Sequence, residues 1–149
     1  MTKRVVATFT TTIDRTPDVV FDYLADVSKH AEWSPKPFRV EGAGGPVKVG
    51  DTLTTVGTIP GDKNHRNDVT VTECSRPHRL VLDSKEKDDH FVNTWDLEAD
   101  GNGTRLIRTV DAPKPSFPLV LVFPLIMSFL VRPDVNKGLQ NLKNKLEQG

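Results

Sequence analysis

Two patterns of hydrophobic positions divide the chain, and the first covers residues 4–111. In this part, short stretches rich in Val, Ile and Thr alternate with turns that contain Gly or Pro, which is typical of β-strands. The stretches predict strands at residues 4–14, 38–42, 51–60, 65–74, 79–85, 91–99 and 104–111. Because short turns join most of them, we expect an antiparallel meander of about six to seven strands.

Two short helices are predicted directly after the first strand. Thr16 and Pro17 are favoured at the start of a helix, and the apolar residues that follow them recur with helical spacing. The second helix is predicted at residues 29–33, before Pro35, which should end it.

The second pattern covers residues 117–146 and predicts a long C-terminal helix. Its first half, residues 117–131, is an apolar run that only Ser128 interrupts. After this run, apolar residues follow each other at steps of four, three and four, at Val135, Leu139, Leu142 and Leu146. This spacing is one stripe of an α-helix. A helix with so much apolar surface must lie against the sheet, so we expect one two-layer α+β domain over residues 1–149.

The composition excludes several classes of protein. Lys plus Arg and Asp plus Glu number 20 each, so the chain lacks the basic excess that is normal for a nucleic-acid-binding domain. Cys74 is the only cysteine and the four histidines are scattered, so no disulfide and no metal site are expected. No cofactor-binding motif occurs, and no signal peptide is seen at the N-terminus, which favours a cytoplasmic location.

Several short motifs occur in a characteristic order. The segment from Ile13 to Asp26 is followed by Trp33-Ser-Pro35, and later by Trp95-Asp-Leu97 and Gly103-Thr-Arg-Leu106. In this order and spacing they resemble the START/Bet v 1-like superfamily, and more narrowly its polyketide cyclase/dehydrase branch. The resemblance covers nearly the whole chain. It implies a helix-grip fold, in which a curved antiparallel sheet wraps the C-terminal helix and leaves a deep apolar cavity between them.

The walls of this cavity can be predicted from the resemblance and from side-chain parity. Phe91, Asn93 and Trp95 share one side of their strand, which we take as the cavity side. The loop at Trp33 corresponds to a position near the cavity mouth in the family. Pockets for small ligands are mostly apolar and aromatic. The predicted ligand-binding residues are Trp33, Phe38, Phe91, Asn93, Trp95, Phe123, Met127 and Leu130.

The apolar run at residues 117–131 needs cover on every side. A bilayer-spanning helix needs about 20 apolar residues, and this shorter run also contains Pro118 and Pro124, so a buried or half-buried helix is favoured. The face toward the sheet and the cavity should comprise Leu119, Val122, Phe123, Ile126, Met127 and Leu130. The opposite face comprises Val120, Leu121, Leu125 and Phe129. A neighbouring helix, a second subunit in a homodimer or a membrane surface should cover it.

Polar side chains on the cavity side are the candidates for chemistry. The strand at residues 104–111 has Arg105 on one face and Arg108 on the other, so parity leaves both open, and we prefer Arg108 as the inward residue. An inward guanidinium can hold a carboxylate or enolate oxygen, and its alternative role is a salt bridge at the rim. If the protein is an enzyme, Asn93, Arg108 or Tyr23 would orient the oxygens of the substrate, so these three are the candidate catalytic residues.

Three functions are open on this basis. The favoured function is a carrier or sensor that binds a hydrophobic small molecule, such as a fatty acid, a sterol-like molecule or a polyketide. The second is a cyclase or dehydratase whose cavity folds a reactive chain and orients its oxygens. The third is a membrane-surface or protein-interaction module that uses the apolar helix.

Overall fold

A computed structural model of the protein describes residues 3–42, 44–59, 61–86 and 89–148, which form an antiparallel sheet and the helices packed against it. The seven strands of this described part are β1 (Arg4–Ile13), β2 (Arg39–Glu41), β3 (Thr52–Ile59), β4 (Asp62–Ser75), β5 (Arg79–Glu86), β6 (Asp89–Asp100) and β7 (Gly103–Pro113). They are ordered β1-β7-β6-β5-β4-β3-β2, which confirms the predicted meander. Pro60, the last residue of the third predicted strand, lies outside the described residues.

The pairing of β6 with β7 positions the residues that matter most below. A tight turn with Gly101 at a φ of 58° joins the two strands, and this left-handed conformation suits glycine. The register sets Asn93 opposite Val110 and Trp95 opposite Arg108. Residues directly opposite each other share a face of the sheet. Strand pairing alone therefore brings an amide, an indole and a guanidinium together on one face.

Two short helices follow β1, as predicted. Helix α1 (Pro17–Ala25) starts with proline in its first turn and buries the apolar face at Val20, Phe21 and Leu24. A 3₁₀ helix (Val27–Glu32) comes next. Its tighter winding, with about three residues per turn, puts every third residue on one side. Val27 and His30 are buried on this side, and Trp33 continues it.

The predicted long C-terminal helix is confirmed from Phe123 to Gln148. It consists of α2 (Phe123–Ile126), a π-helical turn (Met127–Val131) and α3 (Arg132–Gln148). Pro133 has no N–H for the helical hydrogen bond, which accounts for the irregular turn before it. Helix α3 buries Leu139, Leu142 and Leu146 of the predicted stripe, leaves its fourth residue, Val135, half-buried, and packs against β1.

The apolar run differs from the prediction in two ways. The continuous helix begins only at Phe123, and before it residues 117–122 contain a single 3₁₀ turn at Leu119–Leu121. Pro124 starts the helix instead of interrupting it, because proline is tolerated in a first turn. The face predicted to meet the sheet is also only partly covered: Phe123, Ile126 and Met127 are half-buried, whereas Leu119, Val122 and Leu130 are exposed.

Candidate functional site

Two cavities lie between the sheet and the C-terminal helix. The first has a volume of about 310 Å³ and is called the polar cavity here, because amide, hydroxyl, imidazole and guanidinium groups line it together with apolar side chains. Its walls include His30, Trp33, Phe38, Asn67, Trp95 and Gly138. The second, the apolar cavity, has a volume of about 400 Å³. Its walls include Val5, Phe9, Phe91, Phe123, Met127 and Val131.

Asn93, Arg108 and Val135 line both cavities and so form the wall between them. Arg108 donates from Nε and Nη2 to Oδ1 of Asn93, at 3.2 and 2.9 Å. Its guanidinium carbon also lies 4.7 Å from the centre of the Trp95 ring, which is a cation–π arrangement. These contacts hold the guanidinium in a fixed place at the boundary.

The charge of Arg108 has no carboxylate partner among the described residues. Burial lowers the pKa of its guanidinium to about 10, so the group is still protonated at neutral pH. A guanidinium has five N–H donors, and Asn93 engages only two of its nitrogens. A half-buried cation that is paired only with a neutral amide is suited to bind an anion or a polarised oxygen.

Beside the polar cavity lie side-chain polar atoms that are buried from solvent and have no hydrogen-bond partner among the described residues. They are Nε1 of Trp33, Nε1 of Trp95 and Oδ1 of Asn67. Buried polar groups in folded proteins are nearly always hydrogen-bonded. These three atoms have almost no accessible surface, so they lie behind the cavity wall and do not face a guest.

His30 is a wall residue that was not predicted, because the four histidines were noted only as scattered. It is 8% exposed, and its Nε2 donates to the carbonyl oxygen of Leu24 at 2.9 Å. Burial lowers the pKa of the imidazole to about 4, with a smaller contribution from the positive charge of Arg108. The imidazole is therefore neutral at pH 7. The spacing of Val27, His30 and Trp33, three residues apart, was the signal that could have found it.

Most of the predicted ligand-binding residues lie on cavity walls. Trp33, Phe38 and Trp95 line the polar cavity, Phe91, Phe123 and Met127 line the apolar cavity, and Asn93 lines both. Leu130 lines neither of them: it is 58% exposed, because the π-helical turn directs Met127 and Val131 toward the cavity instead.

The three candidate catalytic residues do not come together. Asn93 and Arg108 are in direct contact, but Tyr23 lies outside both cavity walls. The hydroxyl of Tyr23 donates to Glu32, and burial together with this carboxylate raises the pKa of the phenol. Arg105, the alternative inward arginine, is exposed on the outer face, where it pairs with Glu98 at 3.5 Å.

Asn67 and Val135 were also missed as wall residues. Asn67 shares the parity of Val69 and Val71, both of which are buried, so alternation along β4 could have placed it inward. Within the described residues, no group of three or more His, Cys, Asp or Glu side chains is arranged to hold a metal ion.

An antiparallel sheet packed on a long C-terminal helix, with cavities between the two, defines the helix-grip class of fold. The chain belongs to the family described as "Polyketide cyclase / dehydrase and lipid transport", whose model matches residues 4–147. The superfamily resemblance predicted from the sequence is thereby confirmed. No curated protein matches the chain.

Solved structures share the fold at low sequence identity. TTHA0849 from Thermus thermophilus has a TM-score of 0.72 at 18% identity, and the match covers 95% of this chain and 97% of that one. Protein Ms6760 from Mycobacterium smegmatis has a TM-score of 0.69 at 15% identity, with coverage of 96% and 91%. DynU16, from the dynemicin biosynthetic locus, has a TM-score of 0.64 at 16% identity, and the match covers 97% of this chain but 48% of DynU16.

Proposed function

We propose that the protein binds a hydrophobic small molecule with one oxygen-bearing end, and acts as its carrier or sensor. The hydrocarbon part occupies the apolar cavity, and the polar end lies at Arg108, facing the polar cavity. The observation that supports this most strongly is an arginine without a carboxylate partner, among the described residues, in the wall that the two cavities share. A cytoplasmic location stays a prediction from the sequence.

The apolar cavity suits an aliphatic chain. Its volume of about 400 Å³ falls in the range of small-molecule sites, about 300–1,000 Å³. Aromatic and thioether side chains from three elements line it, namely Phe91 on β6, Phe123 on α2 and Met127 in the π-helical turn. Each methylene group transferred from water into such a site contributes about 0.8 kcal/mol.

The polar end of the ligand is best matched by a carboxylate or an enolate. The N–H groups of Arg108 that do not face Asn93 can donate to such an oxygen. A hydrogen bond to a charged group contributes about 1.5–3 kcal/mol. The guanidinium therefore supplies selectivity, and the apolar cavity supplies most of the affinity.

Paired ligands test this proposal. Dodecanoate and dodecanol have the same chain and differ at the polar end, and their affinities can be measured by displacement of a fluorescent fatty-acid probe. We expect Arg108→Met to weaken dodecanoate binding about tenfold or more, by the loss of a charge-assisted hydrogen bond, and to leave dodecanol binding nearly unchanged. Arg105→Met is the matched control on the outer face and should change neither. Equal losses for both ligands, or no binding by the unmodified protein, would contradict the proposal.

A cyclase or dehydratase is the second candidate, because Asn93 and Arg108 form one hydrogen-bonded unit at the end of an apolar cavity. Such a unit can orient carbonyl oxygens and stabilise an enolate. The fold shared with DynU16, from a biosynthetic locus, is compatible with this candidate. Tyr23 is not part of it, since its hydroxyl donates to Glu32 away from the cavities.

Turnover separates the two candidates. A poly-β-ketone thioester analogue should be converted to a cyclic product, detected by absorbance, only if the site is catalytic. For an enzyme we expect Arg108→Met to lower kcat more than it raises KM, because an enolate forms only during the reaction. Stoichiometric binding without conversion of the analogue would favour the carrier or sensor.

A further inference from the structure

The segment at residues 117–131, called the lid segment here, has two apolar faces. Phe123, Met127 and Val131 point inward and line the apolar cavity. On the opposite side, Leu121, Leu125 and Phe129 are 69%, 59% and 72% exposed. The other exposed large apolar residues of the segment are Phe117, Leu119, Val122 and Leu130.

This exposure is concentrated in one place. Contiguous apolar surface of this kind on a folded protein usually marks a contact with another protein or with a membrane. Among the described residues no helix is both long and apolar enough to cross a bilayer. An exposed apolar face of this kind can lie in the interface of a bilayer.

The charges around the lid segment are positive. Between Ala112 and Pro133 the sequence has Lys114 and Arg132 but no Asp or Glu, although acidic and basic residues are equal in number, 20 each, in the whole chain. Lys3 lies beside Lys114, whose backbone N–H donates to the carbonyl oxygen of Lys3 at 2.8 Å. All three cations are exposed and have no ion-pair partner among the described residues, and the guanidinium of Arg132 lies 5.2 Å from the centre of the Phe9 ring in the wall of the apolar cavity.

The nearest carboxylates in sequence are already neutralised. Asp111 accepts a hydrogen bond from Arg4 at 2.8 Å, and Asp134 pairs with Lys36 at 2.7 Å. An exposed apolar face bordered by these three cations matches the surface of an anionic bilayer, which presents negative headgroups above an apolar interior. A second copy of the chain fits less well, since a two-fold contact would place the same cations near each other without carboxylates between them.

We propose that the lid segment docks on an anionic lipid bilayer. Leu121, Leu125 and Phe129 enter the interface, while Lys3 and Lys114 contact the headgroups. The inner face of the same segment is a wall of the apolar cavity, so the docked protein places the cavity next to the acyl chains. A hydrophobic ligand can then pass between bilayer and cavity without crossing water.

Sedimentation with vesicles tests the docking, and it does not depend on any ligand. We expect the protein to bind vesicles of phosphatidylglycerol and phosphatidylcholine about tenfold more strongly than vesicles of phosphatidylcholine alone, and this preference should decrease in high salt. The double substitution Leu125→Gln, Phe129→Gln should reduce binding about tenfold or more, because both side chains leave the interface.

Val6→Gln is the matched control, since Val6 is 61% exposed but lies on β1 outside the lid segment. It should leave vesicle binding unchanged, and thermal unfolding checks that each variant is folded. Equal binding to neutral and anionic vesicles, or no binding to either, would overturn the proposal. So would a dimer in native mass spectrometry that the double substitution dissociates, because a second copy would then be the partner of this face.

Discussion

Acidification should weaken the fold through His30. The imidazole is buried in the wall of the polar cavity, and burial is the main reason that its pKa is lowered to about 4. The charge of Arg108 lowers the pKa further, whereas the Leu24 carbonyl and Asp26 act in the opposite direction. In the unfolded chain the pKa returns to about 6.5, the value of a solvated histidine.

The size of the effect follows from these two pKa values. Because the folded protein has the lower pKa, the unfolded chain takes up the proton first as the pH falls. The contribution of His30 to the free energy of unfolding is therefore complete above about pH 6.5 and is lost progressively toward pH 4. Between pH 7 and pH 5, one such histidine removes about 2 kcal/mol from the free energy of unfolding.

Urea unfolding at pH 7, 6 and 5 measures this loss, with His30→Gln as the comparison. The glutamine amide can still donate to the Leu24 carbonyl but does not titrate. The other histidines and the carboxylates are the same in both proteins, so the difference between the two pH profiles isolates His30. We expect the original protein to lose about 2 kcal/mol more than the variant between pH 7 and pH 5. Parallel pH profiles would refute the reasoning.

Three further substitutions test the packing of the fold, each by urea or thermal unfolding. Leu142 is fully buried at the contact between α3 and the sheet, so Leu142→Ala should destabilise the protein by about 2–5 kcal/mol; a smaller loss would mean that α3 is not packed as described. Gly103→Ala should lower the free energy of unfolding by about 1–3 kcal/mol, because the Cβ of the alanine would lie 2.7 Å from the carbonyl oxygen of Ile13. An unchanged melting temperature would contradict this. Gly138→Ala should be neutral or should stabilise the protein by up to about 1 kcal/mol. The Cβ of the alanine would make ordinary contacts with Pro35 and Trp33, and alanine is favoured over glycine in a helix. A lower melting temperature would show that this contact is too tight.

The sheet could be predicted from the sequence because its signals are local. Apolar and polar residues alternate along the strands, and turns such as Asp100–Gly103 separate them. These two signals indicate both where the strands lie and that neighbouring strands run antiparallel. The same parity placed Phe91, Asn93 and Trp95 on one side of β6, and all three line the cavities. The choice of Arg108 over Arg105 needed the pairing register, since both faces of β7 have an arginine.

Other features depend on tertiary context that the sequence pattern does not contain. His30 was missed because a 3₁₀ helix, with its period of three, turns it inward among Trp33, Phe38 and Trp95. Leu130 was placed on the wrong side because a regular helical period does not survive a π-helical turn. The division into two cavities depends on the contact between Arg108 and Asn93 and on Val135 of α3, which meet only in the folded protein.

The central claim is that a hydrophobic ligand occupies the apolar cavity, and the methyl group of Met127 reports on it directly. The chain has two methionines, so ¹³C-methyl labelling gives one signal from the cavity wall at Met127 and a second from Met1. We predict that dodecanoate shifts the Met127 signal in a saturable way, complete at one equivalent, and leaves the Met1 signal in place. A Met127 signal that does not move, or that drifts without saturation, would contradict the account.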